Sequence, residues 1–166
     1  MSESEDFRAQ AQLWAKGNRF EDMIEGRVFE HHWGRTITAG DNAAFTTQTL
    51  SFCPLYFNEP YAQSLGHPRT LVNPLLVFNT VFGLSVEDLS EGGGPFLGVD
   101  ECLFVMPVYI GDTLTARSTV LTTRESNSQK GFGIVTWHSE GFNAENAKVI
   151  EFNRTNLVRK RTPTGA

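Results

Sequence analysis

The chain has 166 residues, 40% of them hydrophobic and 20% charged, proportions that exclude a disordered or fibrous polypeptide and fit one folded domain. Lysine and arginine number 14 against 19 acidic residues, a net charge of −5. That balance argues against a nucleic-acid-backbone binder but leaves room for a local basic patch that meets a phosphorylated small molecule.

No apolar run approaches the roughly 20 residues that span a membrane, so no membrane partner is expected. Residues Met1-Ser2-Glu3-Ser4-Glu5-Asp6 lack the basic and apolar segments of a secretory signal, which makes the cytoplasm the expected location. Cys53 and Cys102 are far apart without a CxxC spacing, and free buried thiols are the expectation.

In chain order, residues 1–25 read as a polar lead-in carrying Phe7, Leu13, Trp14 and Phe20. An extended stretch follows over 26–38, marked by Val28, Phe29, Trp33 and Ile37. Thr38-Ala39-Gly40-Asp41 reads as a turn, with Asp41 as N-cap of a helix through Ala43, Ala44 and Phe45. Tyr61 to Leu65 predicts one or two helical turns that end at Gly66. Pro74 then opens a helix in which Leu75, Leu76, Val77, Phe78, Val81, Phe82 and Leu84 cover nearly every face. Its composition predicts burial on most sides. Past the flexible connector Gly92-Gly93-Gly94-Pro95, four strands are predicted at about 96–107, 113–124, 132–142 and 148–159. A greasy helix followed by long strands is an α+β pattern, an antiparallel sheet wrapped around a central helix.

Several segments carry a family resemblance. His32-Trp33-Gly34-Arg35-Thr36-Ile37-Thr38, Pro54-Leu55-Tyr56-Phe57-Asn58, Arg69-Thr70-Leu71-Val72-Asn73, Gly98-Val99-Asp100-Glu101 and Pro107 to Leu114 together resemble the MaoC-like dehydratases, nearest to their mesaconyl-CoA and itaconyl-CoA hydratase-like branch. The resemblance covers about 26–161 and implies a single hotdog domain there, with 162–166 as a tail. It also implies a homodimer or hotdog heterodimer, an acyl-CoA thioester substrate, and reversible addition of water to a conjugated double bond. No cofactor or metal is called for.

The family pattern Asp-x-Asn-Pro-Leu-His falls on Ser51 to Tyr56, so Ser51 stands for the usual Asp and Tyr56 for the usual His. A later acidic position is Asn58, and the His-Gly pair that offers a backbone N–H to the thioester oxygen is Asn73-Pro74. Proline has no N–H to offer. The resemblance thus assigns Ser51, Tyr56 and Asn58 to the reaction centre, with Tyr56 as an acid or hydrogen-bond donor. Asn73, Pro74 and Gly98 go to the substrate side.

Asp41 is the nearest upstream carboxylate and a candidate reactive group beside its capping role. His67, in the loop before the greasy helix, is the best substitute base, against the reading of a plain surface loop. His31 and His32 point to opposite faces of an extended segment and cannot share a metal; one reads as surface and one as packed. His138 belongs to a strand. Arg154, Arg159, Lys160 and Arg161 would meet CoA phosphates or form a solvated tail. Phe52, Phe57 and Tyr61 fit either an apolar substrate or the core. The leading expectation is an enoyl-CoA hydratase with the usual acid/base pair replaced. The rival is a degenerate hotdog subunit that binds acyl-CoA or pairs with an intact hydratase. A thioesterase, with Asp41 or Glu59 over the thioester, is a third reading.

Overall fold

A computed structural model describes residues 17–161; residues 1–16 of the lead-in predicted over 1–25 and the tail over 162–166 lie outside the described residues. In chain order come β1 (Val28–Glu30), β2 (Arg35–Thr36), α1 (Ala39–Gln48), α2 (Glu59–Ser64), α3 (Pro74–Leu84), α4 (Val86–Leu89), β3 (Phe96–Phe104), β4 (Thr113–Glu125), β5 (Phe132–Phe142) and β6 (Lys148–Arg159). Short 3₁₀ turns occupy Phe20–Asp22 and Pro54–Tyr56. The strands form one antiparallel sheet in the order β1-β4-β5-β6-β3, with β2 also paired to β4.

The sheet forms because its strands alternate. Leu114, Ala116, Ser118 and Val120 of β4 turn inward, as do Val135, Trp137 and Ser139 of β5. Register places Ala116 opposite Gly141 and Ser139 opposite Phe152, so one face of the sheet is apolar and receives α3. Ile37, Val77, Val81, Leu114, Ile150 and Phe152 make the resulting core. A Cβ built at Gly141 would stand 2.5 Å from Val81, which is how closely the helix approaches β5. A second cluster of Met23, Phe29, Leu89, Val120, Val135, Trp137 and Val158 closes the other end. This is the α+β hotdog architecture.

Local chemistry sets the helix starts. Thr38, not Asp41, is the N-cap of α1, and Thr38-Ala39-Gly40-Asp41 is its cap and first turn, not a separate turn. Asp41 sits at the third helical position, where its carboxylate accepts from the Thr38 N–H at 2.9 Å while the Thr38 hydroxyl accepts from the Asp41 N–H. That reciprocal pair is a capping box. Asn58 caps α2 and Asn73 caps α3, with Pro74 as the first residue of the helix.

Three expectations need correction. α3 is not buried on most sides: only Val77 and Val81 are fully covered, and Leu75 is 55% exposed, because the sheet of one chain covers only one face of the helix. Cys102 is exposed and Cys53 half-buried. The glycine connector is held in place, since Pro95 accepts from the Leu157 N–H at 2.9 Å and a Cβ at Gly94 would lie 1.9 Å from the Leu157 carbonyl oxygen.

Candidate functional site

Asn42, in the first half of α1, is fully buried. Its Nδ2 donates to the carbonyls of Tyr56 at 2.6 Å and Leu71 at 2.9 Å, and its Oδ1 accepts from the Asn73 N–H at 2.9 Å. One side chain thereby ties α1, the 3₁₀ turn at Pro54–Tyr56 and the entry to α3. With two donors and an acceptor engaged, the amide is well satisfied. Sequence reasoning missed Asn42, since an asparagine in a helix next to Asp41 gives no sign of burial.

At this junction the Asn73 side chain turns both ways. Its Oδ1 accepts from the Leu75 N–H at 3.0 Å, capping α3, and its Nδ2 donates to Ser51 Oγ at 3.1 Å. Ser51 is placed by its own N–H, which donates to the Thr46 carbonyl at the end of α1. The structure therefore brings together Ser51, Asn73 and Pro74, and joins Tyr56 to them through its carbonyl. The Tyr56 hydroxyl has no hydrogen-bond partner among the described residues. Burial, then the neighbouring Cys53, pushes its pKa above the usual phenol value, so at neutral pH it is a donor and not a base.

The remaining candidates lie apart from this cluster. Asp41 is held below the ordinary carboxylate range by hydrogen bonds from Thr38 and by the Arg35 guanidinium 2.7 Å away, so it is a weak base. With Trp33, Arg35, Leu76, Asn79 and Thr80 it lines a cavity of about 390 Å³ against α3. Asn58 spends its side chain on the Tyr61 N–H. Glu59 accepts from Thr70 at 3.4 Å, and His67 Nδ1 lies 3.3 Å from the Tyr109 hydroxyl. Gly98 pairs with Thr155 on the edge strand β3 and has no contact with Ser51 or Asn73. Phe52, Phe57 and Tyr61 are exposed, not core; Phe52 and Phe57 wall a cavity of about 240 Å³ with Ala43, Thr46 and Thr47.

Arg154 does not belong to a solvated tail. It points inward from β6 with no exposure and donates to Ser85, Ser90 and Asn156 beneath the Phe82 ring; burial lowers its pKa to about 10. Beside it, His31 is buried and His32 exposed. His31 stands between Asp88 (2.6 Å) and Ser118 (2.9 Å), and Ser118 meets Ser139 at 2.8 Å. The Ser–His–Asp order imitates a nucleophile relay, but Ser118 has no exposure and no substrate reaches it. On the outer face His138, Glu140 and Glu151 offer ligand atoms within 4.8 Å of one another. Arg117 and Lys148 already bond those carboxylates, and they are the charge a metal would have to displace.

No helix among the described residues is long and apolar enough to cross a membrane. The family described as mesaconyl-CoA hydratase matches residues 3–166. A mesaconyl-CoA hydratase of Haloarcula hispanica is 38% identical over 149 residues, covering 89% of this chain and 42% of that protein. A beta-methylmalyl-CoA dehydratase of Chloroflexus aurantiacus is 42% identical over 147 residues with the same coverage. The crystal structure of a MaoC domain protein dehydratase from Chloroflexus aurantiacus superimposes with a TM-score of 0.83 at 40% identity, over 90% of this chain and 42% of that one. The chain thus spans less than half the length of these relatives. Matched along nearly all of its own length, it belongs to the mesaconyl-CoA hydratase family of MaoC-like hotdog proteins.

Proposed function

We propose that the chain works in a hydratase/dehydratase of enoyl-CoA thioesters, with the thioester seated at the start of α3. The observation that carries this is the convergence of Ser51, Asn73 and the Tyr56 turn on the first turn of α3, locked by Asn42. In hydration, water oxygen bonds to the β carbon, a proton is delivered to the α carbon, and the thioester oxygen carries negative charge in between. The names of the relatives describe the two directions of such a reaction, hydration of mesaconyl-CoA and dehydration of beta-methylmalyl-CoA. Those acyl groups are accordingly the first substrates to test.

A second reading is favoured by one observation: neither Ser51 nor Asn73 hydrogen-bonds a carboxylate or an imidazole. In that reading the chain supplies the thioester-holding module and pairs with a hotdog module that brings the acid and base. The exposed apolar side chains of β3, Phe96, Leu97, Leu103 and Phe104, support a paired assembly, as a homodimer or a heterodimer.

The test is to incubate the purified chain with crotonyl-, mesaconyl- and itaconyl-CoA, following loss of the conjugated absorbance and the mass of the product. Turnover by the chain alone is the expected result for a self-sufficient hydratase. Binding without turnover moves the assignment to the paired module, and neither binding nor turnover overturns both.

A further inference from the structure

The first turn of a helix ordinarily presents unpaired N–H groups, and these are natural partners for a developing oxyanion. In α3 none is left. The Asn73 N–H is taken by Asn42 Oδ1, Pro74 has none, and the Leu75 N–H is taken by Asn73 Oδ1. The N–H groups of Leu76 and Val77 both donate to the Asn73 carbonyl, at 2.9 and 3.1 Å. A thioester oxygen brought to this helix finds no backbone donor.

The hydroxyl of Ser51 is different. Its oxygen is held as an acceptor by Asn73 Nδ2, and its proton has no acceptor among the described residues. The residue is half-buried and not sealed in the core. Accepting one hydrogen bond strengthens a hydroxyl as the donor of the next. The Tyr56 hydroxyl is also without a partner, but nothing fixes its direction.

We infer that Ser51 Oγ–H, oriented by Asn73 Nδ2, is the group that hydrogen-bonds the thioester carbonyl oxygen, in place of a backbone N–H of α3. The inference rests on the enoyl-CoA reading above and gives Ser51 an electrophilic role, not that of a base. Only a hydrogen bond is made, and no proton leaves serine.

The test uses the full chain and cinnamoyl-CoA, whose conjugated absorbance moves to longer wavelength when its carbonyl is polarised. Wild type is expected to bind with a red shift. Ser51→Ala is expected to bind within a few-fold of wild type and to lose the shift. Wherever turnover is measurable, it should fall about 10²-fold, as on removal of one oxyanion donor. Ser51→Thr, which keeps the hydroxyl, is expected to restore the shift. A red shift that persists in Ser51→Ala overturns the inference and leaves the enoyl-CoA reading standing. Loss of binding in both variants, with unchanged circular dichroism, also overturns it, because shape and not donation would then be at work. A wild type that binds neither cinnamoyl-CoA nor the enoyl-CoA panel removes the underlying reading and this inference with it.

Discussion

Asn42 makes three hydrogen bonds to main-chain groups of two segments, at Tyr56 and at Leu71 and Asn73, and each of those groups would be orphaned without it. Replacement by Asp keeps the shape but turns a donor into an acceptor that faces the carbonyls of Tyr56 and Leu71. Asn42→Asp is therefore expected to lose about 3–5 kcal/mol of stability, as when a buried charge is left without compensation, measured as a lower urea midpoint. An unchanged midpoint would show that the junction is held by other contacts. Ser51 and Asn73, which share a hydrogen bond, were singled out in the sequence through the family resemblance alone. Asn42 was not, since its role exists only once the loops around 56 and 71 are folded onto α1. The same reason explains Asp41: its type and spacing announced a cap, while Thr38 three residues earlier was an equally good one, and only geometry separates N-cap from third position.

At the level of elements, β4, β5 and β6 were legible to within a residue, because β-branched and aromatic alternation bounded by glycine or asparagine turns leaves few alternatives, whereas the strand predicted to run to about 107 ends at Phe104. The coverage of α3 was not, because an apolar helix states that it must be buried without stating by which chain. The short helix α4 depends on polar contacts that no periodicity reveals. Asp88 reaches His31 on the strand side, Ser85 and Ser90 flank it and bond Arg154, and Leu89 is its one fully buried apolar anchor. Burial lowers the pKa of His31; the Asp88 hydrogen bond opposes that shift, and the nearby Arg154 adds to it. With the folded-state pKa below the ordinary value near 6.5, the unfolded chain takes up the proton first as pH falls. Stability contributed by neutral His31 is thus complete above pH ~6.5 and declines as pH drops through the lowered folded-state pKa. Urea midpoints measured from pH 8 to 5 are expected to fall in that window for wild type, with a smaller slope for His31→Gln. Equal slopes in the two proteins would place the acid sensitivity elsewhere.

For the whole molecule, the sheet ends on β3, whose outer edge is unpaired among the described residues and whose Phe96, Leu97, Leu103 and Phe104 are exposed. Such an edge invites a partner. If the proposed pairing uses it, Leu103→Lys will convert the assembly to single chains in light scattering at micromolar concentration while leaving the circular dichroism unchanged. Leu103 is 55% exposed, so the change costs the core little. An assembly unaffected by Leu103→Lys would assign the interface to another face. The strand order has a separate effect on how the molecule comes into being. β3 precedes β4 and β5 in the chain yet hydrogen-bonds only β6, with Gly98 opposite Thr155. During synthesis β3 therefore leaves the ribosome before its neighbour exists, while β4 and β5 can already zip into a hairpin. Joining β3 to β6 closes a loop of more than forty residues, from Phe104 to Ile150, a slow step compared with hairpin formation. Until then an apolar strand waits unpaired, and it is in that interval, before the native state is reached, that the nascent chain is most exposed to aggregation.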